Sequence, residues 1–127
     1  MSNITLGKRP EHYKPVAVKF PMPDGTEGVI TATFKYRTRT EYGALMTGHL
    51  EGLPTALDGE DAPSVEAMYV DGVRRDAGLL GKVLAGWDVP HELTDDNLVQ
   101  LVDEVPSCVK AFMEAYRGIV LEGRLGN

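Results

Sequence analysis

Cysteine is nearly missing from this chain. Cys108 is the single one in 127 residues, so no internal disulfide framework can form and a reducing compartment suits the sequence. Long apolar runs are missing too, and none approaches the roughly 20 residues that a membrane helix needs. The first ten residues, Met1 to Pro10, contain no apolar core of a secretory leader, so a cytoplasmic location is expected. Basic charge is also short: 13 Lys and Arg stand against 19 Asp and Glu, for a net charge of −6. The deficit is uneven, with a balance of +3 over residues 1–45, −10 over 46–105 and +1 over the remainder. An acidic middle repels phosphate backbones, which argues against a nucleic-acid partner. It is either a solvated face or a surface complementary to something basic, and charge alone does not choose.

Catalytic and metal-binding patterns are equally scarce. His12, His49 and His91 include no pair at helical spacing, and Asp95 stands where a zinc-protease motif after His91-Glu92 needs its second histidine. Gly81-Lys82 ends no phosphate-binding loop, because Asp76 and Val83 occupy the glycine and hydroxyl positions. Asp58-Gly59-Glu60-Asp61 lacks the alternating ligands of a calcium loop. The adjacent acids Asp95/Asp96 and Asp103/Glu104 would diverge on a helix, whereas acid–base chemistry needs groups that converge. Cys108 near a helix start could have a lowered thiol pKa, but a buried structural thiol is the favoured reading. No enzyme activity, cofactor or metal is expected.

What is present is a pattern of elements in one domain of 127 residues. Residues 1–13 have no consistent period and read as a loose N-terminal arm. Val16, Val18 and Phe20 then alternate with Ala17 and Lys19 as in a half-buried strand. A second strand follows, with Ile30, Ala32, Phe34 and Tyr36 on one face. The connection Met22-Pro23-Asp24-Gly25-Thr26 is a turn signal, and its length fixes the register. A two-residue loop would send the two apolar sets to opposite faces. A three-residue Pro23-Asp24-Gly25 loop pairs Val18 with Ile30 and Val16 with Ala32 and unites them. The prediction is a type I turn closed by a G1 bulge at Gly25.

Such a hairpin needs cover for its apolar face, and the remaining chain reads as about four helices. Thr38 or Thr40 caps the first, which carries Tyr42, Leu45, Met46 and His49 and stops at Gly52 and Pro54. Residues 53–63 form an acidic loop. The longest helix should run from about Ser64 to Ala85 with Val65, Met68, Tyr69, Val73, Leu80, Val83 and Leu84 inward. Gly72, Gly78 and Gly81 weaken it or admit a close neighbour, so a kink near Gly78 is expected. Gly86 ends it, and Trp87 anchors the corner, either as core or as an interface residue. Thr94 caps a short helix with Leu98, Leu101, Val102 and Val105. Pro106 opens the last, whose stripe is Val109, Phe112, Met113, Tyr116 and Val120 before a Gly123 cap. The class is α+β, an N-terminal β-hairpin at about 15–36 packed on a mainly helical domain.

Three pieces in this order resemble the phage tail assembly chaperone family. They are the strand-to-helix junction bearing Arg37, Arg39 and Glu41; the Gly86-Trp87-Asp88 segment before the Thr94 helix start; and Pro106 leading into the helix of Tyr116 and the terminus Leu125-Gly126-Asn127. The middle third, with the 53–63 loop, carries least of the likeness. These residues look fold-forming, so the resemblance assigns no partner-binding residue. It implies a cytoplasmic, non-enzymatic protein of siphophage-type tail morphogenesis that binds the tape-measure protein, keeps it soluble and is absent from the virion. The tail tube protein is a further implied partner, and a homo-oligomer is common among such chaperones. The alternative reading is a small structural tail protein, such as a tube, terminator or connector subunit.

Overall fold

The computed structural model describes residues 2–53 and 64–125. Its first elements are β1 (Val16–Pro21) and β2 (Glu27–Phe34), antiparallel, with Val18 opposite Ile30 and Val16 opposite Ala32. This is the register that a common buried face requires. The turn has the bonding of a three-residue loop. The Gly25 N–H donates to the Met22 carbonyl (3.0 Å), the Met22 N–H donates to the Thr26 carbonyl (2.8 Å), and Gly25 sits at φ +86°. Asp24 tightens it by accepting from the Thr26 N–H and hydroxyl. Those two bonds hold the Asp24 carboxyl below its ordinary pKa.

The hairpin gains a third strand that the sequence reading did not contain. Helix α2 (Val65–Val83) passes without a loop into β3 (Leu84–Trp87), which pairs antiparallel with β2 to give the order β1-β2-β3. The expected helix end at Ala85 therefore moves back to Val83, and Gly86 and Trp87 lie in a strand rather than after a helix. The cause is the unpaired edge of β2, whose backbone groups need partners more than the last helical turn needs extension. Lys35 N–H donates to the Val83 carbonyl at 2.8 Å, at the point where helix becomes strand.

β3 pairs Phe34 with Leu84 and Ala32 with Trp87, which leaves Ala85 as a bulge. In a regular strand Leu84 and Trp87 would point to opposite faces. The extra residue puts both on the side of Phe34 and Ala32. Asp88 then closes the ladder, its carboxylate accepting from Thr31 N–H (2.9 Å) and its own N–H donating to the Thr31 carbonyl (3.1 Å).

Helices cover the inner sheet face. They are α1 (Arg39–Glu51), α2, α3 (Asp95–Glu104) and α4 (Ser107–Glu122). Helix α4 lies against β1, and Phe112 makes ring contacts with Phe20 and Phe34 at 6.3 Å each. Tyr116 meets Phe34 at 5.3 Å and Tyr42 of α1 at 5.8 Å. Cys108, Phe112, Tyr116 and Ile119 are the buried residues of α4, while Val109, Met113 and Val120 sit at its margins. The stripe is thus turned slightly from the expected one, because α4 faces the sheet with one side and α2 and α3 with another. Burial of each such large side chain contributes roughly 1.5–3 kcal/mol.

Helix α2 has no break at Gly78, where the open side of the helix adds no neighbour within 4 Å of a Cβ. Gly72 is equally open, and Gly81 alone of the three meets a neighbouring helix, through Leu98 of α3 at 3.5 Å. The acidic 53–63 loop, Leu53 apart, lies outside the described residues. The end of the 1–13 stretch is bonded to the sheet, since Tyr13 N–H donates to the Phe34 carbonyl and Tyr36 N–H to the Glu11 carbonyl.

Candidate docking surface

Arg37 and Tyr116, distant in sequence, form one node. Arg37 leaves β2 at the start of the turn into α1, and its Nη1 donates to the Lys82 carbonyl at 2.8 Å and to Tyr116 Oη at 3.0 Å. The Tyr116 hydroxyl donates in turn to the Lys35 carbonyl at 3.0 Å. Tyr13 completes the group by donating to the Arg37 carbonyl. The Lys82 carbonyl is one of the groups that the last turn of α2 leaves without a helical partner, so Arg37 acts as a side-chain cap. Burial pushes the Tyr116 phenol above its ordinary pKa, against the pull of the adjacent guanidinium.

The other motif residues lie elsewhere. Thr38 caps α1, and Glu41 completes a capping box, accepting from Thr38 N–H while its own N–H bonds to Thr38 Oγ1. Arg9 binds the Glu41 carboxylate at 2.5 Å and lies over the Tyr36 ring. Arg39 is exposed at the first position of α1. Gly86, Trp87 and Asp88 end the sheet, and the Trp87 indole donates to the His91 carbonyl at 2.8 Å, fixing the turn toward α3. Pro106 is the N-cap residue of α4, Leu125 is exposed, and Gly126 and Asn127 lie outside the described residues.

Among the described residues no chemical constellation converges. Among the described residues no three His, Cys, Asp or Glu side chains gather as metal ligands. Cys108 is fully buried, and desolvation pushes its thiol up to about 12, the reverse of an activated thiol. A depression of about 200 Å³ beside Trp87, lined by Val89, His91, Gln100 and Glu104 among others, brings no reactive pair together.

The anomaly is on α2. Val65, Met68 and Tyr69 continue the stripe of Val73, Leu80 and Val83 at helical spacing, yet they are exposed, Val65 at 68% and Tyr69 at 73%. The expected inward placement of these three is overturned, because the core ends at Val73. α1 finishes beside Arg75, so about the first two turns of α2 stand beyond the packed body. Ser64 caps them, accepting from Ala67 N–H. Val70 on the helix, and Leu50 and Leu53 at the end of α1, add exposed apolar surface at the same end. Asp76 marks the boundary, half-buried, with its carboxyl pushed up by burial and partly offset by nearby His49. Periodicity correctly gave the stripe, but the sequence held no signal for where its cover stops.

Comparison with protein-family models gives a match over residues 1–127, the whole chain, to the family described as phage tail assembly chaperone. Neither the curated proteins nor the solved structures return a match.

Proposed function

This chain belongs to the phage tail assembly chaperone family, and we propose that it binds the tape-measure protein and keeps it soluble while tail-tube subunits assemble around it. The observation that supports this reading is the apolar stripe of α2, which runs on past the core into Val65, Met68 and Tyr69. Exposed apolar surface of this kind marks interaction sites on soluble proteins. A long helical partner laying its own apolar side along that stripe would restore the cover that the fold does not supply. The role needs no bond-making chemistry, so the protein acts as a binder in the host cytoplasm and leaves before the virion is complete. No helix among the described residues is long and apolar enough to cross a membrane, which fits that location.

Co-expression with the tape-measure protein of the same phage tests the reading. The long protein should be soluble only in company with this chain, and the two should co-purify with many copies of this chain per partner. If they ignore each other and this chain is found in finished tails, it is instead a structural tail subunit.

A further inference from the structure

The outer edge of β1 is open. Met22 and Thr26 are bonded across the hairpin turn, so the bonded pairs of the β1–β2 ladder continue at Phe20, Val18 and Val16. Ala17 and Lys19 fall between them, and their N–H and carbonyl groups point away from β2. Thr31, opposite Ala17, agrees with this, since its own N–H and carbonyl are bonded to Asp88 on the β3 side. Among the described residues no further hydrogen bond meets the main chain of Ala17 or Lys19. Pro15 and Pro21 bound this edge; both lack an N–H, and the Pro21 carbonyl already accepts from Ser107 Oγ at 2.6 Å. That bond sets the start of α4 beside the end of β1, so the helix runs antiparallel to the strand. Between them lies a groove of about 340 Å³, bounded by residues 16–19 and, on the α4 side, by Ala111, Ala115 and Gly118. From Ala111 to Gly118 the helix rises about 10 Å, as does the strand over residues 16–19. A Cβ on Gly118 would meet only the Arg124 side chain, at 3.9 Å. The acid and the guanidinium at the rim are already paired, Glu114 with Lys110 and Arg124 with Glu122. The groove therefore suits a short, uncharged, extended segment with side chains to set against α4.

The chain carries such a segment. In Ser2-Asn3-Ile4-Thr5-Leu6, Ile4 and Leu6 are the most exposed large apolar side chains among those described, at 76% and 93%. The segment has no charged side chain, and none of its residues lines its own groove. We infer that residues 2–6 of one copy add as a further strand to the β1 edge of a second copy. In an antiparallel register with Ile4 opposite Val18, Thr5 and Asn3 meet the open groups of Ala17 and Lys19. Ile4 and Leu6 then point to the same sheet face as Val18 and Val16, onto α4, with Leu6 toward Gly118. A one-residue slip would turn both to solvent, so the apolar pair selects this register. Arm and edge are different surfaces, so each copy can give one arm and accept another, and the contact repeats head to tail. The inference rests on the tape-measure reading only for what such a row of copies would line.

Sedimentation velocity of the full chain, with no residues added at its N-terminus, tests this over a concentration series. The chain alone should associate as concentration rises. Ile4→Asp with Leu6→Asp should weaken the association about tenfold or more, and both side chains are exposed in the single copy, so the fold is left alone. Gly118→Leu fills the groove with a better helix former and should weaken it as much. Ala17→Pro, which removes an edge N–H, is the second edge variant. Where the wild type associates, the arm variant and the edge variants should each be monomeric. A mixture of arm and edge variants should give a dimer and nothing larger, because one intact arm and one intact edge remain. A wild type that stays monomeric up to its solubility limit overturns the inference, as does a mixture of folded variants that forms no dimer. Protection of the Ala17 and Lys19 amides from hydrogen exchange that is independent of concentration also overturns it, by closing the arm on its own edge. All of this is read on the chain alone, so its failure leaves the tape-measure reading standing. Failure of the wild type to capture the tape-measure protein leaves the arm contact standing.

Discussion

The two halves of α2 carry apolar residues at the same spacing and meet opposite surroundings. From Val73 to Val83 the stripe is pressed against α3, α4 and the sheet, and Leu80 and Val83 are fully buried. From Val65 to Gly72 the same stripe meets solvent. Helical period states which face wants cover; the cover itself comes from elements elsewhere in the chain, or from another molecule. In the lower half a side chain contributes to folding, and in the upper half it is available for binding. Each prediction below bears on that division.

The largest effect should come from the body. Phe112→Ala removes a ring held between Phe20 and Phe34 with no exposed surface, and should cost about 3–5 kcal/mol in urea unfolding. The Val65, Met68 and Tyr69 to Ser triple variant should shift unfolding far less, since exposed positions usually change stability by under about 0.5 kcal/mol each. Comparable losses would mean that the upper half of α2 is structural, and the division would be broken. Next in size is Arg37→Ala, which leaves the Lys82 carbonyl without its cap and the Tyr116 hydroxyl without a donor. A loss of about 1.5–3 kcal/mol is expected. Arg37→Lys should rescue part of the loss, because both bonds come from the one nitrogen Nη1 and an ammonium also carries enough donors for two acceptors.

A pH-dependent effect, small over its first unit, distinguishes the body again. The Cys108 thiol rises from an ordinary 9.0 to about 12 in the fold, and burial also raises the Tyr13 and Tyr116 phenols from 10.0. As pH climbs past 9 the unfolded chain loses protons that the folded chain keeps. Stability therefore falls between about pH 9 and 12, by up to about 1.4 kcal/mol per pH unit for the thiol. Urea midpoints measured across that range should decline in the wild type. Cys108→Ala should flatten the first unit of the decline, before the tyrosines contribute. An unchanged slope in that variant would mean that the thiol is not the group responsible.

Why some of this was legible in the sequence and some was not follows from range. The hairpin register could be read because Pro23-Asp24-Gly25 and the alternation on both strands act locally and allow one solution. The caps at Thr94 and Gly123 are equally local; Thr38 was one of two candidates with Thr40, and Ser64, read only as the start of a helix, proves to be its cap. β3 was missed because Leu84 fits the helical stripe that ends at Val83, and only the open edge of β2, some fifty residues away, turns Leu84 to Trp87 into strand. The Arg37–Tyr116 node spans 79 residues and gives no periodic sign at all. The exposed stripe escaped for the same reason: burial of Val65 or Tyr69 depends on how far α1 and α4 extend in space.

The smallest effect is the most direct probe of the two halves. Gly72 and Gly78 are both helical, both at negative φ, and both have open space where a Cβ would go. Alanine at either should therefore gain intrinsic helix stability of up to about 1 kcal/mol with no steric cost. What differs is the event that each gain opposes. Gly78 lies in the half that opens only when the core does, so Gly78→Ala should raise global stability by nearly the full amount. Gly72 lies in turns free to fray on their own, so much of its gain should go into suppressing local opening. Hydrogen exchange of the amides from Val65 to Gly72 should slow in Gly72→Ala while its urea midpoint moves less than that of Gly78→Ala. Equal midpoint shifts would show α2 opening as one cooperative rod, with its exposed turns held as firmly as its buried ones. A rigid rod of that kind would offer the proposed partner a preformed docking edge, whereas a fraying one would have to be ordered on binding.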